Sequence, residues 1–267
     1  MNIRRWSVGV IAATLLVPGV AACNSGTADS SSGSSSAQDV PADPKEALLA
    51  STKGLAEGNF TFTITADSMT GNGVVHKPSD SAQMKMSMGN DEFTMEFDLI
   101  HITPDTWVKM DLGDLLAGMP GADAFKDKYQ HLDAAKAGDA KGLNPFKSGT
   151  DPADASAMFK GIAEVEKTGE GAYSGTVDLS AVTDSVATDE AMLKELGEKA
   201  KAIPFTAKLD AQGRLTELVM SIPAAGETKA QDIKVTYADY GSATAVQKPP
   251  ADQVVEAGEQ TYEMFKG

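Results

Sequence analysis

Along residues 60–112, apolar side chains recur at every second position. Phe60, Phe62 and Ile64 alternate with threonines in NFTFTITAD, Ala82, Met84, Met86 and Met88 alternate in SAQMKMSMG, and Phe93, Met95, Phe97 and Leu99 do so in EFTMEFDLI. DTWVKMDL continues the run with Val108, Met110 and Leu112 on one side and Trp107 on the other, while GNGVVHKP reads as a weaker strand preceded by a turn. A period of two puts successive side chains on opposite faces, so each segment is a strand with one apolar face. Glycine, proline, asparagine and aspartate at the corners predict an antiparallel meander.

Elsewhere the period changes. DPKEALLASTKGLAEGN reads as one amphipathic helix, with Asp43 as N-cap, Pro44 at the first helical position, Leu48, Thr52 and Leu55 on one face and Gly58 as its stop. Residues 113–170 lose the alternation, and DAFKDKYQHLDAAK and DPADASAMFKGIAEV predict two short helices. AYSGTVDLS is again a strand, DEAMLKELGEKAK a helix of about three turns, and IPFTAKLDAQGRLTELVMSIP a hairpin turning at Asp210 to Gly213. DIKVTYADYG and ATAVQKPP predict edge strands, and ADQVVEAGEQTYEMF a last short helix. This order predicts an α+β fold, a single curved antiparallel sheet with helices gathered on its apolar face.

The first residues have a different character. Arg4 and Arg5 precede an apolar stretch from Trp6 to Val20, followed by Ala21, Ala22 and Cys23, the only cysteine of the 267 residues. Basic, apolar and small blocks in that order predict a signal peptide over 1–22, too short for a stable membrane span. Val20-Ala21-Ala22-Cys23 resembles the bacterial lipobox, in which the thiol receives diacylglycerol and the chain is cut before it. The plainer alternative is a secretory signal with a chance cysteine at its end. The arginine pair lacks the flanks of a twin-arginine signal, so general secretion is expected. Residues 23–42 then form a lipidated cysteine and a Ser/Gly-rich flexible tether, and 43–267 the folded domain. Two or more acyl chains hold a protein stably on a bilayer, so the expected location is the outer face of the cytoplasmic membrane.

Charge narrows the partners. Loss of Arg4 and Arg5 with the signal takes the formal net charge from −15 to −17. So acidic a chain repels phosphate backbones, which argues against a nucleic-acid partner. Catalytic chemistry finds little footing either. His76, His101 and His131 stand in separate segments without metal-ligand spacing, and there is no G-x-S-x-G elbow, Walker loop or complete dinucleotide fingerprint. No metal, cofactor or enzymatic activity is expected. A hydrolase of envelope material would need a nucleophile and base that no motif marks.

The order of the lipobox, DTWVKMDL, YSGTVDLS, PFTAKLDAQGRLTELVMSIP and VTYADYG, followed by Val246 and Pro249, resembles the LolA-like lipoproteins of actinobacteria, related to the LppX/LprG group. The resemblance covers most of residues 43–250 and implies an unclosed barrel of antiparallel strands wrapped around helices, with acyl chains or lipoprotein lipids held between them. Ligand traffic is what that resemblance implies; a membrane transporter or cell-envelope protein is a candidate partner of unknown identity.

Methionine points the same way by its own chemistry. Twelve occur in the chain, and Met84, Met86, Met88 and Met95 crowd two consecutive strands. An unbranched, polarizable side chain repacks around irregular apolar partners but specifies a core poorly. The expected lipid-binding set is therefore Phe62, Ile64, Met84, Met86, Met88, Phe93, Met95, Phe97, Leu99, Val108 and Met110, with Cys23 as the lipidation site and residues 113–150 as a candidate lid. The competing expectation is a surface scaffold with a filled interior that meets a protein partner.

Overall fold

The Asp43 carboxylate accepts from the Glu46 N–H at 2.9 Å and Pro44 takes the first turn, so α1 (Pro44–Ser51) starts where its cap chemistry dictates. It does not run on to Gly58 as one helix. The hydroxyls of Ser51 and Thr52 fold back onto the carbonyls of Leu48 and Leu49 at 2.7 and 2.9 Å, a competition that bends helices. α2 (Lys53–Glu57) follows and ends at Gly58, whose φ of 67° is left-handed.

The computed structural model describes residues 40–90, 93–113, 127–137, 151–182, 190–226 and 229–266. The signal peptide, Cys23, most of the tether and most of the 113–150 segment lie outside the described residues.

The expected meander is present as β1 (Asn59–Ala66), β2 (Met69–His76), β3 (Ser81–Asn90), β4 (Phe93–Ile102) and β5 (Asp105–Asp111). After it come β6 (Tyr129–Leu132), α3 (Ala134–Ala137), α4 (Ala155–Lys160), β7 (Ile162–Gly169), β8 (Ala172–Val177) and α5 (Glu190–Leu196). The chain ends with β9 (Ile203–Leu209), β10 (Leu215–Ile222), β11 (Gln231–Ala238), β12 (Val254–Glu256) and α6 (Glu259–Lys266). Among the described residues, twelve strands join one open sheet in the order β12-β6-β5-β4-β3-β2-β1-β11-β10-β9-β8-β7, antiparallel except for β12 against β6.

Several elements depart from the sequence expectation. Tyr129 to Leu132, read as helical, form a strand because both edges of that segment find partners, β5 on one side and β12 on the other. The helix expected over DPADASAMFKGIAEV stops at Lys160, and Ile162 onward pairs with β8. Gly197, at φ 54°, ends α5, and the chain continues as a 3-10 turn over Gly197–Ala202. DIKVTYADYG is not an edge. β11 lies in the middle of the sheet, paired to β1 and β10. ATAVQKPP makes no strand, and the final segment contributes β12 as well as a helix.

Register fixes the two faces. Phe62 stands opposite Tyr237 and Gly73, Met84 opposite Gly73 and Leu99, and Leu218 opposite Val235 and Ala207. Directly opposed residues share a face, so these line one side. Leu48 and Leu55 from the first helices, Met158 and Phe159 from α4, and Leu196 pack into the same buried cluster. A second cluster joins Leu99, Val108 and Leu132 to Tyr262 of α6, with Met110 and Phe265 against it. All these helices therefore sit on one face. On the opposite face, Ile100, Trp107 and Tyr129 form a third cluster that Val246 and Val254 cover. Among the described residues, no helix is long and apolar enough to cross a membrane.

Candidate apolar binding face

The helix-bearing side of β1 to β4 is almost wholly apolar. Its positions are Phe60, Phe62, Ile64 and Ala66 on β1, Met69, Gly71, Gly73 and Val75 on β2, Ala82, Met84, Met86 and Met88 on β3, and Phe93, Met95, Phe97, Leu99 and His101 on β4. His101, opposite Ala82 at the end remote from Met88 and Met95, is ionisable; the rest are not. The charges of these strands alternate to the other face, where Lys85 stands opposite Asp98 and Asp98 opposite Lys109.

Burial divides the eleven expected lipid-binding residues. Phe62 and Met84 belong to the main core, and Ile64 and Met86 pack on its margin. Leu99 and Val108 are buried under Tyr262, with Met110 beside them, so α6 fills that end of the face. The structure thus places those last three in an interior made by the protein itself. Met88, Met95 and Phe97 are half-buried and belong to none of the three clusters formed by the described residues, and Phe93 continues their strip at the strand end. Here an apolar surface lies on the inner side of the sheet without a packed layer from the described helices.

Two residues of this face escaped the sequence reading. Met69 stands opposite Met88, and Gly71 opposite Ile64 and Met86. GNGVVHKP is expected as a weak strand beginning at Gly71, and β2 starts two residues earlier, at Met69. The alternation Met69, Gly71, Gly73, Val75 was available, but two of its members carry no side chain to mark it.

The outer face has built polar sites. Asp98 accepts from Gln83 Nε2 at 2.8 Å and from the Tyr129 hydroxyl at 2.7 Å, with Lys85 Nζ 3.5 Å away. Burial, the hydrogen bond and the Asp98 charge all push the Tyr129 phenol pKa up. Nearby, His131 lies between Asp105 and Glu256, 3.1 Å from each. Partial burial alone would lower its pKa, but the hydrogen bonds and charges of the two carboxylates outweigh that and raise it. His76 bonds the hydroxyl of Ser79 on this face, whereas His101, on the inner face opposite Ala82, bonds the hydroxyls of Thr106 and Thr103. Among the described residues, no group of three or more His, Cys, Asp or Glu is arranged to hold a metal ion.

A third polar feature anchors α4. Asp151 accepts from the Tyr237 hydroxyl at 3.0 Å and from the N–H groups of Ala153 and Ser156 at 3.1 and 3.3 Å. Desolvation raises its pKa despite these donors. These donors tie the carboxylate to the start of α4 and to β11.

Comparison with protein-family models gives no match to this chain, and no curated protein matches it.

Proposed function

We propose that the protein is a lipid-anchored, extracytoplasmic, non-enzymatic binding protein of LolA-like fold that holds an acyl chain or similar long apolar ligand against the inner face of β2 to β4. The observation that carries this reading is the half-buried strip of Met88, Met95 and Phe97, apolar, uncharged on its own face and packed into none of the clusters of described residues. A protein that needed only a stable core would gain by closing this strip, since burying such a side chain contributes roughly 1.5–3 kcal/mol. A ligand would supply the layer that the described residues do not. Methionine suits the task because it repacks around different partners.

No covalent step is required. Transfer of a chain from water onto the face is driven by roughly 0.8 kcal/mol per buried methylene. Cys23, acylated as its lipobox implies, would hold the molecule at the outer face of the cytoplasmic membrane, with the Ser/Gly-rich tether giving the domain reach toward the bilayer. An envelope transporter or acceptor would be the downstream partner.

The test is native mass spectrometry of the full chain, purified in mild detergent from a lipid-producing host and then incubated with that host's lipid extract. A lipid adduct that survives removal of the detergent is expected. A clean ligand-free mass would overturn the reading in favour of a scaffold with a self-sufficient interior.

A further inference from the structure

Three methionines stand side by side at one end of the inner face. Met69 on β2 lies directly opposite Met88 on β3, and Met88 lies directly opposite Met95 on β4. Opposed residues of antiparallel strands share a face with about 4.5–5.5 Å between their α-carbons, so the outer two stand about 10 Å apart with Met88 between them. All three are half-buried, and none belongs to the clusters that the described helices form with the sheet. Met86, the next methionine on the same side of β3, is already packed on the margin of the main core. The backbone holds the row in line. The Gly89 N–H donates to the Ser68 carbonyl at 2.9 Å, which ties the β1–β2 turn to β3. Gly89, at φ 152°, lies so close to β4 that a Cβ there would overlap the Phe93 carbonyl oxygen, so the two strands press together beside Met88 and Met95.

Thioether sulfur is a soft, uncharged donor. Calcium and magnesium take oxygen ligands instead, whereas Cu(I) selects sulfur of this kind. From this row we infer that Met69, Met88 and Met95 form a binding site for a soft monovalent cation of the Cu(I) class, with one sulfur supplied by each of three adjacent strands. The inference goes beyond the apolar-ligand reading and does not depend on it. Each arm is unbranched with three rotatable bonds, so the outer pair leans inward over Met88 and brings three sulfurs around one ion while the backbone stays in place. One ion between flexible arms requires no cleft of its own. Neutral ligands leave the site with a single positive charge, which a chain of formal net charge −15 attracts. The choice of donor suits an exported protein, in which thiols are drawn into disulfides and thioethers are not. Among the described residues, no His, Cys, Asp or Glu cluster competes for a metal.

The experiment titrates the full chain in mild detergent, under argon, with Cu(I) held by bicinchoninate, and follows the loss of the coloured chelate. Wild type should withdraw copper from the chelate, and the copper X-ray absorption fine structure should show sulfur neighbours. Silver(I) should displace the copper, and zinc or calcium should not. Met88→Leu keeps size and apolarity but removes the middle sulfur, so it should weaken uptake by about tenfold or more while circular dichroism and melting temperature stay as in wild type. Met69→Leu and Met95→Leu should act in the same direction, and they serve if Met88→Leu fails to fold. No withdrawal by wild type, a shell of nitrogen or oxygen neighbours, or undiminished uptake in the folded leucine variants would overturn the site. None of those outcomes touches the acyl-chain reading, which stands or falls on the lipid adduct.

Discussion

The imidazole of His131 stacks on the indole of Trp107 with 5.5 Å between ring centroids and 30° between planes. From that seat it reaches Asp105 on β5 and Glu256 on β12, and Lys248 stands over the same indole while pairing with Asp105 at 3.7 Å. One ring therefore ties the parallel strand β12, and through it α6, to the rest of the sheet.

His131 has a raised pKa in the folded protein, so protonation and folding favour each other. Its contribution to stability is present in full below the unfolded value of about 6.5 and is lost as pH rises through the folded value. Melting curves from pH 6 upward should show a decline in the wild type that His131→Gln flattens. Superimposable pH profiles would mean that the two carboxylates do not couple to the ring. Hydrogen exchange in residues 259–266 should accelerate over the same pH range if the loosening is local.

The strip and the core should respond differently to truncation. Phe97→Ser removes a half-buried ring outside the three clusters and should cost less than about 1 kcal/mol in urea unfolding. Phe60→Ala, at a fully buried position between Tyr237 and Tyr240, should cost about 3–5 kcal/mol. Met95→Trp should leave stability near wild type and reduce lipid recovered with the protein. Equal costs for the two phenylalanines would show that Phe97 is ordinary core.

How much of this could be read beforehand depends on how local the cause is. Alternation marked β1, β3, β4 and β5, and Asp210 marked the β9–β10 turn, where its carboxylate takes the N–H groups of Gln212 and Arg214 at 2.9 Å. Those signals lie within a few residues of what they specify. β6 was invisible because Tyr129 to Leu132 are strand only by virtue of Thr106 and Trp107 on one side and Val254 to Glu256 on the other. The central place of β11 was hidden for the same reason, since a hydropathy pattern shows that a strand has an apolar face but not which strands flank it. Of the apolar face, the methionines of β3 and β4 were legible and the β2 members were not, because Gly71 and Gly73 carry no side chain to mark the alternation.

Tyr237→Phe removes one donor from the partly buried Asp151 carboxylate. That hydrogen bond works against the desolvation that raises the Asp151 pKa, so its loss raises the pKa further. A carboxyl with a raised folded value contributes fully below its unfolded pKa of about 3.9 and loses that contribution as pH climbs through the folded value. The variant should therefore be destabilised by about 1–3 kcal/mol at neutral pH and by less near pH 4. A penalty independent of pH would assign the effect to packing of the ring alone.

Replacement of Cys23 by serine removes the only thiol of the chain. Radiolabelled palmitate incorporation should vanish, and the protein should pass from the membrane pellet to the soluble fraction or remain as an uncleaved precursor. Wild-type levels of label in the serine variant would show acylation elsewhere and rule out Val20-Ala21-Ala22-Cys23 as the processing site.

Phe62 meets Tyr237 across the β1–β11 seam, and that seam has a consequence for timing. Synthesis delivers β1 early and β11 late, and until residues 231–238 arrive the first meander has an open edge along β1. Pairings so distant in sequence form slowly. Once β11 arrives it closes two raw edges at once, those of β1 and β10. Closure of the sheet is thereby timed by the arrival of one strand.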